Sequence, residues 1–368
     1  MRAGVFRDGH LAVVDVADPR PEQGQLLVRT LACGICGTDL HFIRHAQTIV
    51  GINDELWPTL GPAAVGDSHV DLSKDVFMGH EFCAEVLEAG PRTDGPPPGT
   101  TVVSVPVLLS GSGVHRLTYN NDHPCGYAEL MLLSAPLVVP VPNGLHPQLA
   151  ALTEPLAVGV HAVAKSAVRP GETAVVLGSG PIGLAIIAAL RTAGVETVIG
   201  SDFSPRRREL ATLMGATQTV DPAAESAIQA GRRAAGSGRL VVFEAVGVPG
   251  IIQQIIHDVP IGARIVVAGL CMEPDTIIPY YGIAKELSVQ FVVAYTLEEF
   301  ASALTAIADG RVDVTPMITA TVGLDKMPTA FQALADPSQH CKILVEPGRT
   351  MTAPGPTRHQ DDHQIGGA

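Results

Sequence analysis

The sequence predicts an α/β protein with two domains, a barrel-like β domain and a doubly wound parallel sheet. Residues 1–140 contain many short apolar runs separated by Gly and Pro turns, with little helical periodicity. From about residue 150, strand-like runs alternate with helix-like runs, which implies right-handed βαβ crossovers and a parallel sheet. The length of 368 residues is sufficient for two hydrophobic cores.

The predicted elements follow one another along the chain. The first part contains the strands "AVVDV", "QLLVRTLA", "EFCAEVLEAG", "TVVSVPVLL" and "YAELMLL". A helical stretch at 150–168 leads into the strand "ETAVVLG", the helix "PIGLAIIAALRTAG" and the strand "TVIGSD". Helices at 297–309 and 326–335 precede a last strand, "KILVEP", and the polar tail from Gly348 is predicted to be disordered.

Composition and charge exclude several classes of protein. The net charge of −13 argues against binding to a nucleic acid backbone. The six cysteines are spread along a large chain, so we interpret them as thiols or metal ligands rather than as a disulfide framework. The N-terminus has no apolar signal-peptide core, and we expect a cytoplasmic protein. The uncharged run at 173–190 is long enough to cross a membrane, but its glycines favour a buried strand, a turn and a buried helix, so no membrane association is expected.

A dinucleotide-binding motif lies at the start of the second part. "VVLGSGPIG" contains Gly178, Gly180 and Gly183 in a G-x-G-x-x-G pattern, with Pro181 and Ile182 between the last two glycines. The motif directly follows a predicted strand and opens a predicted helix, which is the context in which it binds a dinucleotide. The glycines would permit a tight turn, close approach of the pyrophosphate, and packing of helix on strand. The helix N-terminus would offer free N–H groups to the phosphates.

An acidic residue suggests which dinucleotide binds. Asp202 lies 19 residues after Gly183, at the end of the next predicted strand. A carboxylate at this place accepts hydrogen bonds from the adenosine ribose and repels a 2′-phosphate, which favours NAD over NADP. The trio Arg206, Arg207 and Arg208 is a counter-signal, and we expect Arg207 to flank the ribose or adenine. The alternative is a turn aspartate with exposed arginines.

The stretch "CGICGTDLH", residues 33–41, raises the question of a metal site. Cys33 and Cys36 form a C-x-x-C that is compatible with a redox pair, half of a structural metal site, or one corner of a catalytic one. Together with the adjacent His80 and Glu81, Cys36 offers ligands suited to Zn²⁺. Glu154 begins an apolar helix, where it would either ligate a metal or complement the helix dipole.

The ordered set of motifs resembles one enzyme family. "GICGTDLH", "GHEFCAEVLEAG", "EPLAVGVHAV", "VLGSGPIGL" and "FEAVGVP" occur in this order, and through them the chain resembles the zinc-dependent medium-chain dehydrogenases/reductases. The polyol, threonine and glucose dehydrogenase branch is more similar than the liver-type alcohol dehydrogenases. The resemblance covers roughly residues 1–347. It implies a GroES-like β-barrel catalytic domain at 1–155 and 296–348, a Rossmann NAD-binding domain at 156–295, and a tail at 349–368.

The resemblance also implies roles for particular residues. It implies one catalytic zinc, with Cys36, His80, Glu81 and Glu154 as the metal residues, and it leaves open which carboxylate ligates the metal directly. Asp39 would orient His80. Thr38 would bind the substrate hydroxyl and take its proton, and His41, a water chain or Glu154 would carry the proton onward.

The implied reaction is the oxidation of a secondary alcohol or polyol-like substrate by hydride transfer to NAD, through a zinc-bound alkoxide. Backbone near Val246 and Leu270 would hold the nicotinamide carboxamide. The expected partner is a small-molecule alcohol. A homodimer or homotetramer is expected because "SVQFVVAY" would form an edge strand that pairs across a dimer, as in relatives.

Two segments depart from the family pattern. Many members carry four closely spaced cysteines for a structural zinc after the stretch that matches "GTTVVSVPV", but only Cys125 occurs here, so no structural zinc is predicted. We interpret His115 and His123 in the same segment as solvated or structural. The interval of 44 residues from Cys36 to His80 is long for the family, so residues 44–77 are interpreted as an insertion at the mouth of the zinc site. Residues around Trp57 in this insertion would either form part of the substrate pocket or a lid, or pack on the barrel or at a subunit interface.

Alternative functions remain open on the sequence alone. A zinc-free quinone or enone reductase has the same fold, but it would lack the set of Cys36, His80 and Glu154. A non-catalytic dinucleotide-binding protein would not need Thr38 and His41. Within the family branch, a glucose-type or threonine-type dehydrogenase is the alternative to a dehydrogenase of other alcohols.

Overall fold

The computed structural model describes residues 1–60, 69–336 and 338–349, apart from the side chain of Trp57. The hypothesis about Trp57 therefore concerns a side chain outside the described part, and the predicted disordered tail falls outside it from residue 350 onward. The predicted domain boundaries also remain a prediction, whereas the predicted fold class is confirmed by the sheets described below.

The strands fall into a mixed system and a parallel system. In chain order they are β1 (Arg2–Arg7), β2 (His10–Asp15), β3 (Gln25–Gly34), β4 (Val76–Phe77), β5 (Glu81–Ala89), β6 (Thr101–Ser104), β7 (Val107–Ser110), β8 (Gly113–Arg116), β9 (Leu130–Ser134), β10 (Val138–Pro140), β11 (Thr173–Leu177), β12 (Thr197–Ser201), β13 (Gln218–Val220), β14 (Leu240–Glu244), β15 (Arg264–Val267), β16 (Ser288–Phe291), β17 (Ile318–Val322) and β18 (Lys342–Val345).

The helices mostly lie in the second half of the chain. In chain order they are α1 (Gly37–Leu60), α2 (Pro147–Ala150), α3 (Thr153–Ser166), α4 (Pro181–Thr192), α5 (Pro205–Leu213), α6 (Ala227–Ala235), α7 (Ile251–Asp258), α8 (Pro279–Ala284), α9 (Leu297–Ala308) and α10 (Met327–Ala333). Among the described residues, no helix combines the length and the apolar character needed to cross a membrane.

The mixed system surrounds its own apolar core. Its largest sheet has the order β10-β6-β5-β3-β18-β17, with β9 also paired to β3, and it is accompanied by the sheet β2-β1-β4 and the hairpin β7-β8. β18 pairs antiparallel with β3, so that Leu344 lies opposite Gly34 and Val345 opposite Cys33. The chain thus leaves this system after β10 and returns to one end of its largest sheet with β17 and β18.

The parallel system is a six-stranded sheet with the order β13-β12-β11-β14-β15-β16, in which every pair is parallel. The chain builds outward from β11 to one side and then from β14 to the other. The switch in direction lies between β11 and β14, and a crevice forms at the carboxyl ends of such a pair. The glycine motif follows β11 directly, so it lies at this crevice.

Helices join the two systems. One hydrophobic cluster includes Ala32 and Cys83 from the mixed system and Val176 and Phe243 from the parallel sheet, and α3, α4 and α9 contribute much of its remainder. α9 begins with a capping box, in which Thr296 and Glu299 satisfy each other's backbone N–H groups. The Glu299 carboxylate also bonds Nδ1 of His161 on α3 at 2.8 Å, which ties the two helices together.

The predicted shortage of helix in the first 140 residues is wrong for the segment 37–60. There α1 runs for 24 residues with a kink at His45 (φ −133°, ψ 29°). The spacing of Phe42, Ala46 and Ile49 is that of one helix face, and all three are buried. The kink and Pro58 interrupt the pattern, and the interpretation as an insertion obscured the rest. The first part of the supposed insertion is therefore a helix packed on the barrel core.

Candidate active site

Three ligand-type side chains meet where β3 ends and β5 begins. The donor atoms of Cys36, His80 and Glu81 all lie within 4.8 Å of one another, and the three residues are buried. Antiparallel pairing of β3 with β5 places Gly34 opposite Glu81. The cysteine two residues after β3 therefore comes beside the His-Glu pair, and three of the four predicted metal residues share one cluster.

The chemistry of this donor set fits zinc. A thiol, an imidazole and a carboxylate are the groups that bind Zn²⁺ in proteins. Nε2 of His80 points to the same space as the hydroxyl of Thr38, which lies 3.5 Å away, whereas Nδ1 faces Asp39. Burial would lower the pKa of His80, but the charges of Asp39 and Cys36 hold it well above its ordinary value. The cluster could therefore hold a cation, and the assignment of Cys36 and His80 as its ligands stays a prediction.

The carboxylate of Glu81 is held from behind by a buried lysine that sequence analysis missed. Nζ of Lys342 lies 2.6 and 2.7 Å from the two carboxylate oxygens and donates to the carbonyl of Ile35 at 2.9 Å. Both side chains of the ion pair are fully buried. Burial would lower the pKa of Lys342, but the carboxylate of Glu81 raises it overall. A lysine within the apolar strand "CKILVEP" was the available signal, because a buried cation requires a partner.

Asp39 organises the other side of the cluster. Its Oδ2 accepts hydrogen bonds from the hydroxyl of Tyr127 at 2.6 Å and from the backbone N–H of Cys36 at 3.2 Å. Its Oδ1 accepts one from the hydroxyl of Tyr119 at 3.2 Å and lies 3.6 Å from Nδ1 of His80. Burial raises the pKa of Asp39, and His80 and Tyr127 offset this only in part. The carboxylate therefore lies where the sequence predicted it, facing the imidazole.

Glu154 lies in the first turn of α3 and is not one of the three clustered ligand groups. Burial raises its pKa to about 7, with the charge of Glu81 acting in the same direction and His80 and Lys342 acting against it. The side chain of Tyr295 also acts to lower the pKa of Glu154. The charges of the cluster thus influence the pKa of Glu154. Its role as a metal ligand stays a prediction.

The predicted proton-carrying residues occupy the start of α1. Thr38 lies beside His80, and His41 follows three residues later on the same helix. His41 is half-buried and its ring stacks near that of His45, with centroids 6.5 Å apart. Burial lowers the pKa of His41, and the neighbouring charges of His45 and Arg44 lower it further. Within the described part of the chain no hydrogen bond joins Thr38 to His41, so their relay stays a prediction.

The glycine motif, residues 178–183, forms an open loop at the switch point of the parallel sheet, and this loop is called the cradle below. Gly178 has a φ of +87° and makes the turn, while a side chain on Gly183 would overlap the carbonyl oxygen of Gly178. Pro181 and Ile182 form the first turn of α4. Among the residues that the structure describes, a Cβ on Gly180 would meet only Nη1 of Arg207, at 3.9 Å. The space beside Gly180 is therefore free for a phosphate group at the helix N-terminus.

Asp202 shapes the same cradle. Its carboxylate accepts hydrogen bonds from the backbone N–H of Ser179 at 3.0 Å and of Ser204 at 2.9 Å. Nη1 of Arg207 lies 3.7 Å from it. The structure thus brings Asp202 and Arg207 together beside the glycine loop.

A further buried carboxylate, also missed from the sequence, shapes the loop after β14. Oε1 of Glu244 accepts hydrogen bonds from the backbone N–H groups of Val246 at 2.6 Å and Gly247 at 2.8 Å. Val246 and Leu270 remain exposed, by 43% and 40%. The predicted carboxamide-binding residues thus lie on loops that follow β14 and β15, on the crevice side of the sheet.

Comparisons with known proteins agree with this fold. The family model "Alcohol dehydrogenase GroES-like domain" matches residues 22–143, and the model "Zinc-binding dehydrogenase" matches residues 181–309. The scyllo-inosose 3-dehydrogenase of Thermotoga maritima is 30% identical over an alignment of 377 residues, gaps included. The alignment covers 93% of this chain and 91% of that protein.

Solved structures extend the comparison. The crystal structure of 2R,3R-butanediol dehydrogenase from Bacillus subtilis has a TM-score of 0.79 at 27% identity and covers 94% of this chain and 99% of its own. A Sinorhizobium meliloti 1021 protein described as a zinc-binding dehydrogenase, solved with bound NADP, has a TM-score of 0.76 at 28% identity, with coverage of 94% and 99%. With its thiol, imidazole and carboxylate cluster and its glycine cradle, this chain belongs to the zinc-dependent medium-chain dehydrogenase/reductase family, whose members are oxidoreductases that use zinc and a nicotinamide cofactor.

Proposed function

We propose that this chain oxidises a secondary alcohol or polyol-like substrate with one zinc ion and NAD. The buried cluster of Cys36, His80 and Glu81 beside the hydroxyl of Thr38 is the observation that carries the proposal. The relatives named above, one for butanediol and one for scyllo-inosose, support a substrate with several oxygen functions.

The residues around the cluster have separable tasks. Zinc, when bound, supplies positive charge that lowers the pKa of an alcohol hydroxyl, and the nicotinamide supplies the hydride acceptor. Cys36 and His80 would hold the ion, and Glu81 or Glu154 would complete its ligands. Thr38 would accept the hydrogen bond of the substrate hydroxyl, which fixes the orientation of the alcohol.

The proton is proposed to leave along α1. His41 lies one turn beyond Thr38 and is half-buried, and its lowered pKa keeps it neutral, so that a proton it receives passes readily to solvent. Glu154 is the second candidate carrier, because a carboxyl group with a pKa of about 7 can hold or release a proton under these conditions.

NAD is the proposed dinucleotide. Two of the three arginines after β12 are engaged by the protein itself, because Arg206 pairs with Glu209 at 3.0 Å and Arg208 pairs with Asp221 at 3.2 Å. This leaves Arg207 as the arginine beside the cradle, and its Nη1 lies 3.7 Å from the carboxylate of Asp202. Replacement of Asp202 by Ser should raise the ratio of kcat/KM for NADP to that for NAD, because it removes the charge that repels the phosphate. An unchanged ratio would contradict the assignment.

A homodimer, or a homotetramer built from two such pairs, is proposed through β16. This strand is the last of the parallel sheet, with Phe291 exposed by 65% and Val293 just beyond it by 84%. An apolar edge strand of this kind is a template for pairing with a second copy. Light scattering after chromatography should report a dimer or tetramer for the wild type and monomer for Phe291→Glu. The control Ile261→Glu, at an equally exposed apolar residue outside the edge, should keep the assembly.

One screen tests the function itself. Purified protein is assayed for NAD reduction with polyols, other secondary alcohols, sugars including glucose, and amino alcohols including threonine, with Cys36→Ser as the blank. We expect about one zinc per chain and reduction of NAD with at least one secondary alcohol. Protein without zinc that is inactive on the whole panel would favour a non-catalytic dinucleotide-binding protein. Activity on enones without zinc would favour the zinc-free reductases.

A further inference from the structure

Tyr119 touches the site from a segment to which no role has been assigned. It lies in the loop after β8, within the segment where the family resemblance implies four cysteines and only Cys125 occurs. Its hydroxyl donates to Oδ1 of Asp39 at 3.2 Å, the same oxygen that lies 3.6 Å from Nδ1 of His80. A phenol from outside β3, α1 and β5 is therefore part of the polar surroundings of the cluster.

The ring of Tyr119 is held in place on two sides. It stacks on the ring of Phe42, with centroids 4.1 Å apart and planes within 8° of each other. It meets the ring of His80 edge-on, with centroids 6.5 Å apart. Phe42 is itself buried in α1. These contacts fix the ring, and hence the direction in which the hydroxyl points.

The hydroxyl of Tyr119 connects two residues of the proposed mechanism. It donates to Asp39 and lies beside the side chain of Thr38. The other carboxylate oxygen of Asp39 is already bound by Tyr127 and by the N–H of Cys36. Tyr119 thus lies between Thr38 and the carboxylate that faces His80.

We propose that Tyr119 is a positioning residue, which orients Thr38 toward the substrate hydroxyl and holds Asp39 in place to orient His80. This inference rests on the proposed function, because it assumes that His80 binds zinc and that Thr38 meets an alcohol. It predicts that loss of the hydroxyl alone affects both zinc retention and turnover, without a loss of folding.

The variant Tyr119→Phe isolates the hydroxyl, because it keeps the stack on Phe42 and the edge contact with His80. Removal of groups that orient metal ligands typically costs 10–100-fold in metal affinity or activity, and for a group one bond further away we expect kcat to fall about tenfold and zinc release to accelerate about tenfold. The KM for NAD should stay unchanged, since the cradle is built from other residues. Tyr119→Leu should in addition lower the Tm, because it removes the stack.

The experiment follows zinc transfer from the holoenzyme to a chromogenic chelator, together with kcat, KM and Tm. Tyr280→Phe, at an exposed tyrosine of α8, is the matched control and should behave as the wild type. The inference is overturned if Tyr119→Phe keeps kcat or the zinc release rate within twofold of the wild type, or if its Tm falls as far as that of Tyr119→Leu. If the wild type contains zinc and Tyr119→Phe keeps the wild-type kcat and zinc release rate, this inference is refuted but the proposed function is not. A wild type without zinc would refute the proposed function as well.

Discussion

Replacement of Lys342 by Met would leave a buried carboxylate without its cation. In the wild type, Nζ lies 2.6 and 2.7 Å from the oxygens of Glu81 and 2.9 Å from the carbonyl of Ile35, and neither side chain of the pair is exposed to solvent. Methionine is long, flexible and uncharged, so it fills most of the same space. The substitution therefore removes the charge with little loss of packing.

The expected cost follows from burial and from the number of bonds lost. Removal of one partner of a buried pair typically destabilises a protein by ~3–5 kcal/mol, and two charge-assisted hydrogen bonds at ~1.5–3 kcal/mol each give a similar value. We expect the free energy of unfolding of the metal-stripped protein to fall by about 4 kcal/mol. Since the pKa of Lys342 is raised above its ordinary value of 10.5, the stabilisation by Lys342 is complete below that value and is lost only at higher pH. The wild type should therefore keep it unchanged between about pH 6 and pH 9.

Urea unfolding of chelator-treated protein, followed by circular dichroism, measures this cost. The double variant Glu81→Gln/Lys342→Met should recover most of the lost stability, because neither charge remains. Lys326→Met, at an exposed lysine, is the control and should change the free energy of unfolding by less than about 0.5 kcal/mol. A loss below about 1 kcal/mol for Lys342→Met, or a double variant as unstable as the single one, would refute the reasoning.

Further predictions concern the thiols, the cradle and one helix cap. In metal analysis and in an assay of NAD reduction, Cys36→Ala should lose both zinc and activity. Cys33→Ala, which removes a fully buried thiol, should keep both. Loss of zinc from Cys33→Ala would contradict the assignment of Cys36 as the ligand. Gly183→Ala should unfold the cradle, because its Cβ would overlap the backbone. Gly180→Ala should keep the wild-type Tm but weaken the binding of NAD in a fluorescence titration. An unchanged affinity for NAD would argue against a phosphate beside Gly180. Glu299→Gln should cost ~0.5–1 kcal/mol at pH 7. Although burial raises the pKa of Glu299, its capping and histidine hydrogen bonds lower it overall, so its contribution is present above its ordinary pKa of 4.5 and is lost as the pH falls through the lowered value. Urea unfolding at pH 7 and pH 4 should show this difference shrinking, and growth of the difference at pH 4 would contradict it.

The parallel sheet was predictable because its signals are local. The apolar run before Gly178, the glycine spacing and the Ala-rich helices each specify one element within a few residues. α1 was missed because its apolar face is interrupted by the kink at His45 and by Pro58. A resemblance that treats a segment as an insertion also gives no guide to its structure, so the helical spacing from Phe42 to Ile49 was not used.

The site was predictable to the extent that its residues stand in motifs. Cys36, His80 and Glu81 come together because β3 and β5 pair, as their motifs suggested. Lys342 could not be placed from the sequence, since it lies 261 residues from Glu81 and belongs to no motif. Tyr119 likewise lies 80 residues from Asp39 in a stretch without family pattern. Partners of this kind are set by tertiary packing, which no local spacing encodes.

The pairing of β18 with β3 has a consequence for biosynthesis. During translation the residues of the cluster emerge early, but the cation that neutralises Glu81 is added only with residue 342, after the whole parallel sheet has been made. A nascent chain that halts before this strand holds an acidic, thiol-bearing site without its counter-ion, and the end of β3 that pairs with β18 stays open. Completion of β18 therefore links the maturity of the metal centre to synthesis of nearly the full chain, and a truncated product should be open to the cell's proteases.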